Sequence, residues 1–283
     1  MLGAELLKIY RRWMPYTLFL IMVAGAALHI WLFGYTSWEQ SSDVSESQEA
    51  LHSFAIPWSI PALLNSGQFW GAILVGILTA SVVGTEYSWG TVRQALVRGQ
   101  TRSQYLTTKL IGIALISAIS LLLALAIGIG FSVLATNVAD QKLTLDVPDG
   151  PSIPEIGMMV LRAGYGILPY GLLAFSLTVV GRSTSLGVAG VLLYGFAESI
   201  ILAVMAEAGG RFSDARVFLL GHSVNGLLRA NRIGDVESFG LAPRDLNRSD
   251  FIDPIPAAII IGLYCVGLFA VTFFVFQRRD VQA

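Results

Sequence analysis

The chain has 283 residues, of which 54% are hydrophobic and only 13% are charged, and its net charge is −1. A soluble domain carries about 25% charged residues, so this composition excludes an ordinary soluble protein. The one cysteine, Cys265, excludes an intrachain disulfide, and the three histidines lie too far apart for the usual spacing of metal ligands.

The first predicted element is an amphipathic helix over residues 1–13. Its apolar and aromatic residues recur at helical spacing, and its charged residues fall on the opposite face. Basic amphipathic helices bind the surface of an anionic leaflet, so we predict an interfacial helix here; a frayed terminus is the alternative. The apolar run from Met14 to Phe33 is too long for a signal peptide, and we interpret it as a first span.

Six apolar runs are long enough to cross about 30 Å of hydrocarbon. They lie at residues 14–34, 66–84, 106–134, 156–180, 186–206 and 255–277. The sequence therefore predicts an all-α integral membrane protein with six transmembrane helices, built as a single transmembrane domain over residues 1–283.

The segments between the spans alternate in charge. The two termini, residues 85–109 and residues 181–185 hold ten lysines and arginines and three carboxylates. The other segments, 35–65, 135–155 and 207–254, hold seven basic residues and fifteen carboxylates. Basic segments stay on the cytoplasmic side, so both termini are predicted to be cytoplasmic in a multi-pass protein of the cell (plasma) membrane.

Two of the acidic segments carry further predictions. Residues 37–53 are rich in Ser, Glu and Gln, which favours a mobile polar loop. The external segment 207–254 contains a weakly apolar run, Val217–Leu228, that is too short to span a bilayer. This run predicts a short helix that caps or re-enters the outer leaflet.

The most informative segment is the hairpin of residues 85–104, between the second and third predicted spans. Residues 88–98 have the pattern of a short helix, with an apolar face that holds Trp89, Val92, Ala95 and Leu96. Gly99 favours a left-handed stop to this helix. Thr101 and Gln104 match a capping box that begins the third span.

A rigid helix that is held at both ends moves its spans when it is pushed, whereas a flexible loop does not. We therefore expect a coupling helix that docks on a cytoplasmic ATPase; a helix that only lies on lipid is the alternative. Glu86 is expected to pair with Arg93 or to cap the helix start, where a negative charge is favoured. Arg93 and Arg98 are expected to reach carboxylates on the partner.

The hairpin resembles the first cytoplasmic loop of ABC-2 type transporter permeases in the string Glu86-Tyr87-Ser88-Trp89-Gly90-Thr91-Val92-Arg93, followed by Arg98-Gly99, Arg102 and Lys109. The C-terminal residues 276–281 are similar to the usual ending of that family, and the six-span layout extends the resemblance over the whole chain. The resemblance implies that the hairpin residues coupled to the ATPase are Glu86, Tyr87, Gly90, Thr91, Arg93, Gln94, Arg98 and Arg102.

The same resemblance implies a permease half of an export-type transporter. Two such halves pair, as a homodimer or a heterodimer, and each rests on a separate ATP-binding subunit that binds ATP and Mg. The sequence contains no GxxxxGK[ST] phosphate loop, so ATP hydrolysis would take place on that other chain. This chain is then not an enzyme, needs no cofactor of its own, and has the lipid bilayer but no nucleic acid among its partners.

Glu198 is the one carboxylate inside a predicted span. An ionisable group there is costly and faces protein or a wet cavity. Glu198 is expected either to line the transport route or to pair with Arg162 near the outer end of the fourth span, with Tyr194 one helical turn away. A purely structural hydrogen bond between helices is the alternative.

Three other classes of protein remain as rivals. A secondary transporter would have several intramembrane carboxylates or broken helices in repeated halves, and the sequence has neither. A membrane-embedded enzyme would bring catalytic groups together at one depth. A non-transporting membrane scaffold or signalling partner is compatible with the sequence.

Overall fold

The structure is a computed structural model that describes residues 13–143, 150–208, 215–231 and 252–278. These residues form helices and no strand. The helices are α1 (Trp13–Gln40, with a π-helical stretch Leu28–Tyr35), α2 (Val44–Phe54), α3 (Ser59–Ser66), α4 (Gln68–Ser88), α5 (Thr91–Val97), α6 (Arg102–Val138), α7 (Ile153–Gly181), α8 (Thr184–Ala208), α9 (Leu220–Leu228) and α10 (Pro254–Arg278).

Six of these helices, α1, α4, α6, α7, α8 and α10, are long and apolar enough to cross a membrane. The prediction of an all-α protein with six candidate spans is therefore confirmed for the part of the chain that the structure describes. The helices are longer than the apolar runs, because α4 continues to Ser88 and α6 begins at Arg102. The predicted interfacial helix 1–13 and most of the external segment 207–254 lie outside the described residues.

Helices α4 and α7 form the centre of the bundle. In each, 67% of the most apolar stretch is buried, against 11–22% in the other four spans, so those four lie at the periphery. Small residues bring α4 against α8: a Cβ on Gly76 would lie 2.7 Å from Val191, and one on Gly84 would lie 2.6 Å from the Cα of Thr184. Close approach at glycine is the usual packing of helices in membranes.

The prediction of a polar loop over residues 37–53 is wrong. Helix α1 continues to Gln40, and α2 occupies most of the remainder. The cause is an aromatic cluster that the polar composition hides: the ring of Phe54, which is fully buried, lies 5.9 Å from that of Tyr35 and 6.0 Å from that of Trp38. Burial of three aromatic rings stabilises the two helices against each other.

The prediction of a short helix within Val217–Leu228 is confirmed. Helix α9 lies between two 3₁₀ turns, Ala215–Phe218 and Arg229–Asn231, and we call residues 215–231 the α9 segment. Its apolar residues join the main hydrophobic core with residues of α7, α8 and α10. The segment therefore packs inside the bundle and does not lie on its surface.

Candidate functional site

The hairpin is built by three local signals. Helix α4 ends at Ser88, Gly90 adopts a left-handed conformation (φ 65°), and α5 begins at Thr91. Gly99 (φ 91°) then ends the hairpin helix, and the reciprocal Thr101–Gln104 capping box begins α6, both as predicted.

The hairpin helix is shorter than predicted. Ser88 still belongs to α4, and Trp89 lies in the turn, where 65% of its surface is exposed. Trp89 therefore does not share the buried face of Val92, which is 2% exposed and packs into a cluster with Tyr105 and Phe276. The reason is Gly90, whose left-handed conformation separates two helices that the periodicity joins.

Glu86 lies inside the bundle, and its expected pairing with Arg93 is wrong. Its carboxylate is 4% exposed, accepts from the ammonium of Lys109 at 2.6 Å on Oε1, and accepts from the hydroxyl of Tyr105 at 2.7 Å on Oε2. Both partners lie one turn apart on α6. Glu86 was expected at the start of a loop, but α4 extends past it and turns its side chain inward.

Two further predicted coupling residues make contacts within the chain. The hydroxyl of Thr91 donates to the backbone carbonyl of Glu86 at 3.2 Å. Tyr87 is half-buried against the cluster that contains Val92 and Leu106. These contacts seat α5 on the ends of α4 and α6.

Arg102 connects the hairpin to the last span. Its guanidinium donates to the carbonyl of Phe276 at 3.3 Å and to the carbonyl of Gln277, at the end of α10. A cation is favoured at this end of a helix, because the last carbonyls lack partners within the helix. The ring of Phe276 also stacks on Tyr105, with 5.5 Å between centroids and 14° between planes.

The remaining predicted coupling side chains are exposed: Arg93 and Gln94 lie on α5 and Arg98 directly follows it, with Gly90 exposed in the preceding turn. Val97 is also 79% exposed. We call Arg93, Gln94, Val97 and Arg98 the hairpin face. The hairpin face offers two cations and an amide around an apolar centre. The helix that carries it is held by its contacts with the ends of α4 and α6.

The second polar cluster surrounds Glu198, which is 5% exposed. Its carboxylate accepts from the backbone N–H of Gly221 at 2.8 Å and from the hydroxyls of Tyr194 at 3.1 Å and Tyr170 at 3.4 Å. The predicted proximity of Tyr194 is confirmed. Gly221 is the second residue of α9, so the carboxylate lies at the N-terminus of that helix.

Arg162 lies at the other end of the α9 segment, and the expected pairing of Arg162 with Glu198 is wrong. Its guanidinium donates to the carbonyl of Ala230 at 2.9 Å and to Oδ1 of Asn231 at 3.2 Å. The amide of Asn231 in turn donates to Oδ1 of Asn65 at 3.2 Å. The two charged side chains are thus separated by the length of α9, about 13 Å for nine residues.

Sequence reasoning missed the partners of Glu86 and of Arg162 and, apart from Tyr194, those of Glu198. Tyr105 and Lys109 could have been identified from the sequence, since their spacing of four residues places them on one face of α6. No sequence pattern identifies Gly221 or Asn231 as partners, because they come from a segment far along the chain. In the part of the chain that the structure describes, no three His, Cys, Asp or Glu side chains are grouped to hold a metal ion.

The sequence was compared with known proteins. The profile of a family described as "Protein of unknown function (DUF2705)" matches residues 64–282, more than three quarters of the chain. The chain belongs to the DUF2705 family. The DUF2705 match includes the hairpin, the Glu86–Lys109 pair and the α9 segment with both of its charged contacts. No curated protein matches the sequence.

Proposed function

We propose that this DUF2705 protein is the transmembrane permease subunit of an ATP-driven ABC exporter of the ABC-2 type. The observation that carries the proposal is the hairpin: a short helix with an exposed basic face that is fastened to three spans. The hydrolysis of ATP, with its Mg, takes place on a separate ATP-binding subunit. A second permease chain, the same or different, completes the transport route.

The charge pattern supports an orientation in which the hairpin faces the cytoplasm. Ten basic residues and three carboxylates occupy the termini and residues 85–109 and 181–185, whereas the segments that alternate with them in the sequence are acidic. Basic segments remain on the cytoplasmic side of a plasma membrane, so both termini are cytoplasmic in this proposal. An ATPase in the cytoplasm then meets the hairpin face directly.

The contacts of the hairpin suit the transmission of force. Val92 is buried against α6, Glu86 of α4 is bonded to Lys109 of α6, and Arg102 is bonded to the end of α10. A displacement of α5 therefore moves three spans together. ATP binding changes the permease only if the partner binds one of its two conformations more tightly, and a rigid lever makes such a difference possible.

The hairpin face fits a protein groove that carries carboxylates. Arginine guanidinium groups form charge-assisted and bidentate hydrogen bonds with carboxylates, and the planar fork makes these bonds orientation-specific. Arg93 lies on α5 and Arg98 directly follows that helix, with Val97 exposed beside them as an apolar contact. A surface that merely lay on lipid would need the apolar face outward, yet Val92 is turned into the bundle.

The test is the capture of an ATPase with the hairpin face intact. The tagged chain is purified from its own cells in mild detergent, and the captured proteins are identified by mass spectrometry and assayed for ATP hydrolysis. The identified ATPase is then co-expressed with the chain. In the Arg93→Ala/Arg98→Ala variant we expect roughly tenfold or greater loss of affinity, since contacts to charged groups are the stronger hydrogen bonds.

Arg182→Asn is the matched control, because it removes an exposed positive charge from the same end of the bundle outside the hairpin. Arg182 has a left-handed backbone (φ 50°), which asparagine tolerates. The control should retain the ATPase. A chain that captures no ATP-hydrolysing protein, or a double variant that binds the ATPase as well as the parent, would refute the proposal.

A further inference from the structure

We propose that Glu198 and Arg162 are positioning residues that hold the two ends of the α9 segment and thereby fix α9 between α7, α8 and α10. This inference does not depend on the identity of any partner subunit. It assigns the charged side chains of Glu198 and Arg162 to the backbone of one buried helix, and not to each other or to a ligand.

The need for such residues follows from the position of α9. Glu198 lies fourteen residues after the start of α8, about 21 Å along that helix, so its contact with Gly221 is well inside the length of the span. The first N–H groups and the last carbonyls of any helix lack partners within it. Away from water, each unsatisfied group is strongly unfavourable, and a nine-residue helix has few groups that are satisfied internally.

The signs of the two charges match the polarity of the segment. The carboxylate of Glu198 accepts from the second residue of α9, where the helix carries partial positive charge, and the guanidinium of Arg162 donates to Ala230 at the opposite end. Exchanging the two charges would oppose the polarity at both ends. An ion pair between Glu198 and Arg162 would have no such preference, which makes the exchange diagnostic.

The fit at the N-terminal end is close. A Cβ on Gly221 would lie 2.9 Å from Oε2 of Glu198 and 3.5 Å from the hydroxyl of Tyr170, so a side chain at this position would displace the carboxylate. A third anchor comes from α10, where the hydroxyl of Tyr264 donates to the carbonyl of Phe218 at 2.6 Å. The anchors of the segment thus lie on three different spans.

The consequence is mechanical. Because Arg162 belongs to α7 and Glu198 to α8, any movement of one span relative to the other must break a contact or carry the α9 segment with it. The α9 segment therefore connects α7 to α8 and restricts movement between them. Loss of either contact should loosen α9 while the central packing of α4 and α7 persists.

The experiment measures the exposure of α9 through a thiol. Ser223, in the middle of α9, is fully buried and is replaced by Cys in a Cys265→Ala background. The chain is placed in nanodiscs, where both faces meet solvent, and the rate of reaction with a water-soluble maleimide is measured. A second set carries Ser117→Cys instead, at a position on α6 that is 1% exposed and remote from α9.

Four variants are compared in each set: Glu198→Leu, Glu198→Gln, Arg162→Met and the exchange Glu198→Arg/Arg162→Glu. We expect the rate at position 223 to rise about tenfold or more with Glu198→Leu and with Arg162→Met, since 1.4 kcal/mol of lost stabilisation is a tenfold change in population. Glu198→Gln keeps an acceptor for Gly221 and should change the rate less. The exchange should give the fastest reaction at position 223.

Protection at position 223 in the exchanged variant would overturn the inference, because it would show a direct ion pair. Unchanged rates in all four variants would overturn it as well. An equal rise at position 117 would overturn it by showing general instability of the bundle. None of these results bears on the capture of an ATPase, so the two proposals fail separately.

Discussion

The most direct consequence of the hairpin structure concerns Lys109. Its ammonium is 6% exposed and lies 2.6 Å from Oε1 of Glu86, whose side chain is 5% exposed. Replacement by methionine keeps the length of the side chain and removes the charge. Lys109→Met therefore removes the cation that lies against the buried carboxylate of Glu86, which keeps its hydrogen bond from the hydroxyl of Tyr105.

The magnitude follows from the burial of both groups. Removal of one partner from a buried ion pair costs about 3–5 kcal/mol, because an uncompensated charge remains. Each kcal/mol lowers the melting temperature by about 2–4 °C in proteins of 150–250 residues, so Lys109→Met should lower Tm by roughly 6–20 °C. The assay is thermal unfolding of the purified chain in detergent, followed by intrinsic tryptophan fluorescence.

The double variant Glu86→Gln/Lys109→Met separates the charge from the packing. Glutamine still accepts from Tyr105, and both charges of the pair are removed, so most of the lost Tm should return. Lys142→Met is the control, since Lys142 is exposed and its replacement should change stability by no more than about 0.5 kcal/mol. A Tm for Lys109→Met equal to that of the control, or a double variant that is no more stable than Lys109→Met, would refute the reasoning.

Two further predictions test a second contact of the bundle and the proposed orientation of the chain. Arg102→Met should lower Tm by about 3–12 °C, because the last carbonyls of α10 lose a charged donor worth about 1.5–3 kcal/mol, whereas Arg102→Lys should retain much of the stability. In the proposed orientation, a cysteine at Asn137 of a Cys265→Ala variant should react with an impermeant thiol reagent in intact cells, and one at Val97 should not. Thermal unfolding checks the first, and labelling of Val97 from outside would contradict the second.

The sequence predicts the six candidate spans well, because each depends on local composition alone. It also predicts the Thr101–Gln104 capping box and the left-handed Gly99, which depend on three or four consecutive residues. The loop predicted over residues 37–53 fails because its decisive contact, that of Phe54 with Tyr35, joins residues nineteen positions apart. The local polarity of a segment does not reveal a contact with a residue that is distant in the sequence.

In the candidate sites, too, features that depend on local sequence are predicted and features that depend on distant residues are not. The exposed side chains of Gln94 and Arg98 lie outside the apolar face that the periodicity of the hairpin predicts. The inward orientation of Glu86 depends on one additional turn of α4 beyond the apolar run, and apolar composition does not determine where a helix ends. Position along a span identifies Glu198 as unusual, but its partner Gly221 comes from a segment that begins after the span.

The two buried carboxylates described above, those of Glu86 and Glu198, illustrate how charge is accommodated among the helices. The cost of burying Glu86 is offset by a cation on the next span, and that of Glu198 by the N–H of a short helix and two tyrosine hydroxyls. In each case the charge fastens elements that are distant in sequence. A charged residue inside a span can therefore indicate a backbone group that needs a hydrogen-bond partner, and not only a transport route. Arg162, at the far end of the same short helix, follows that rule.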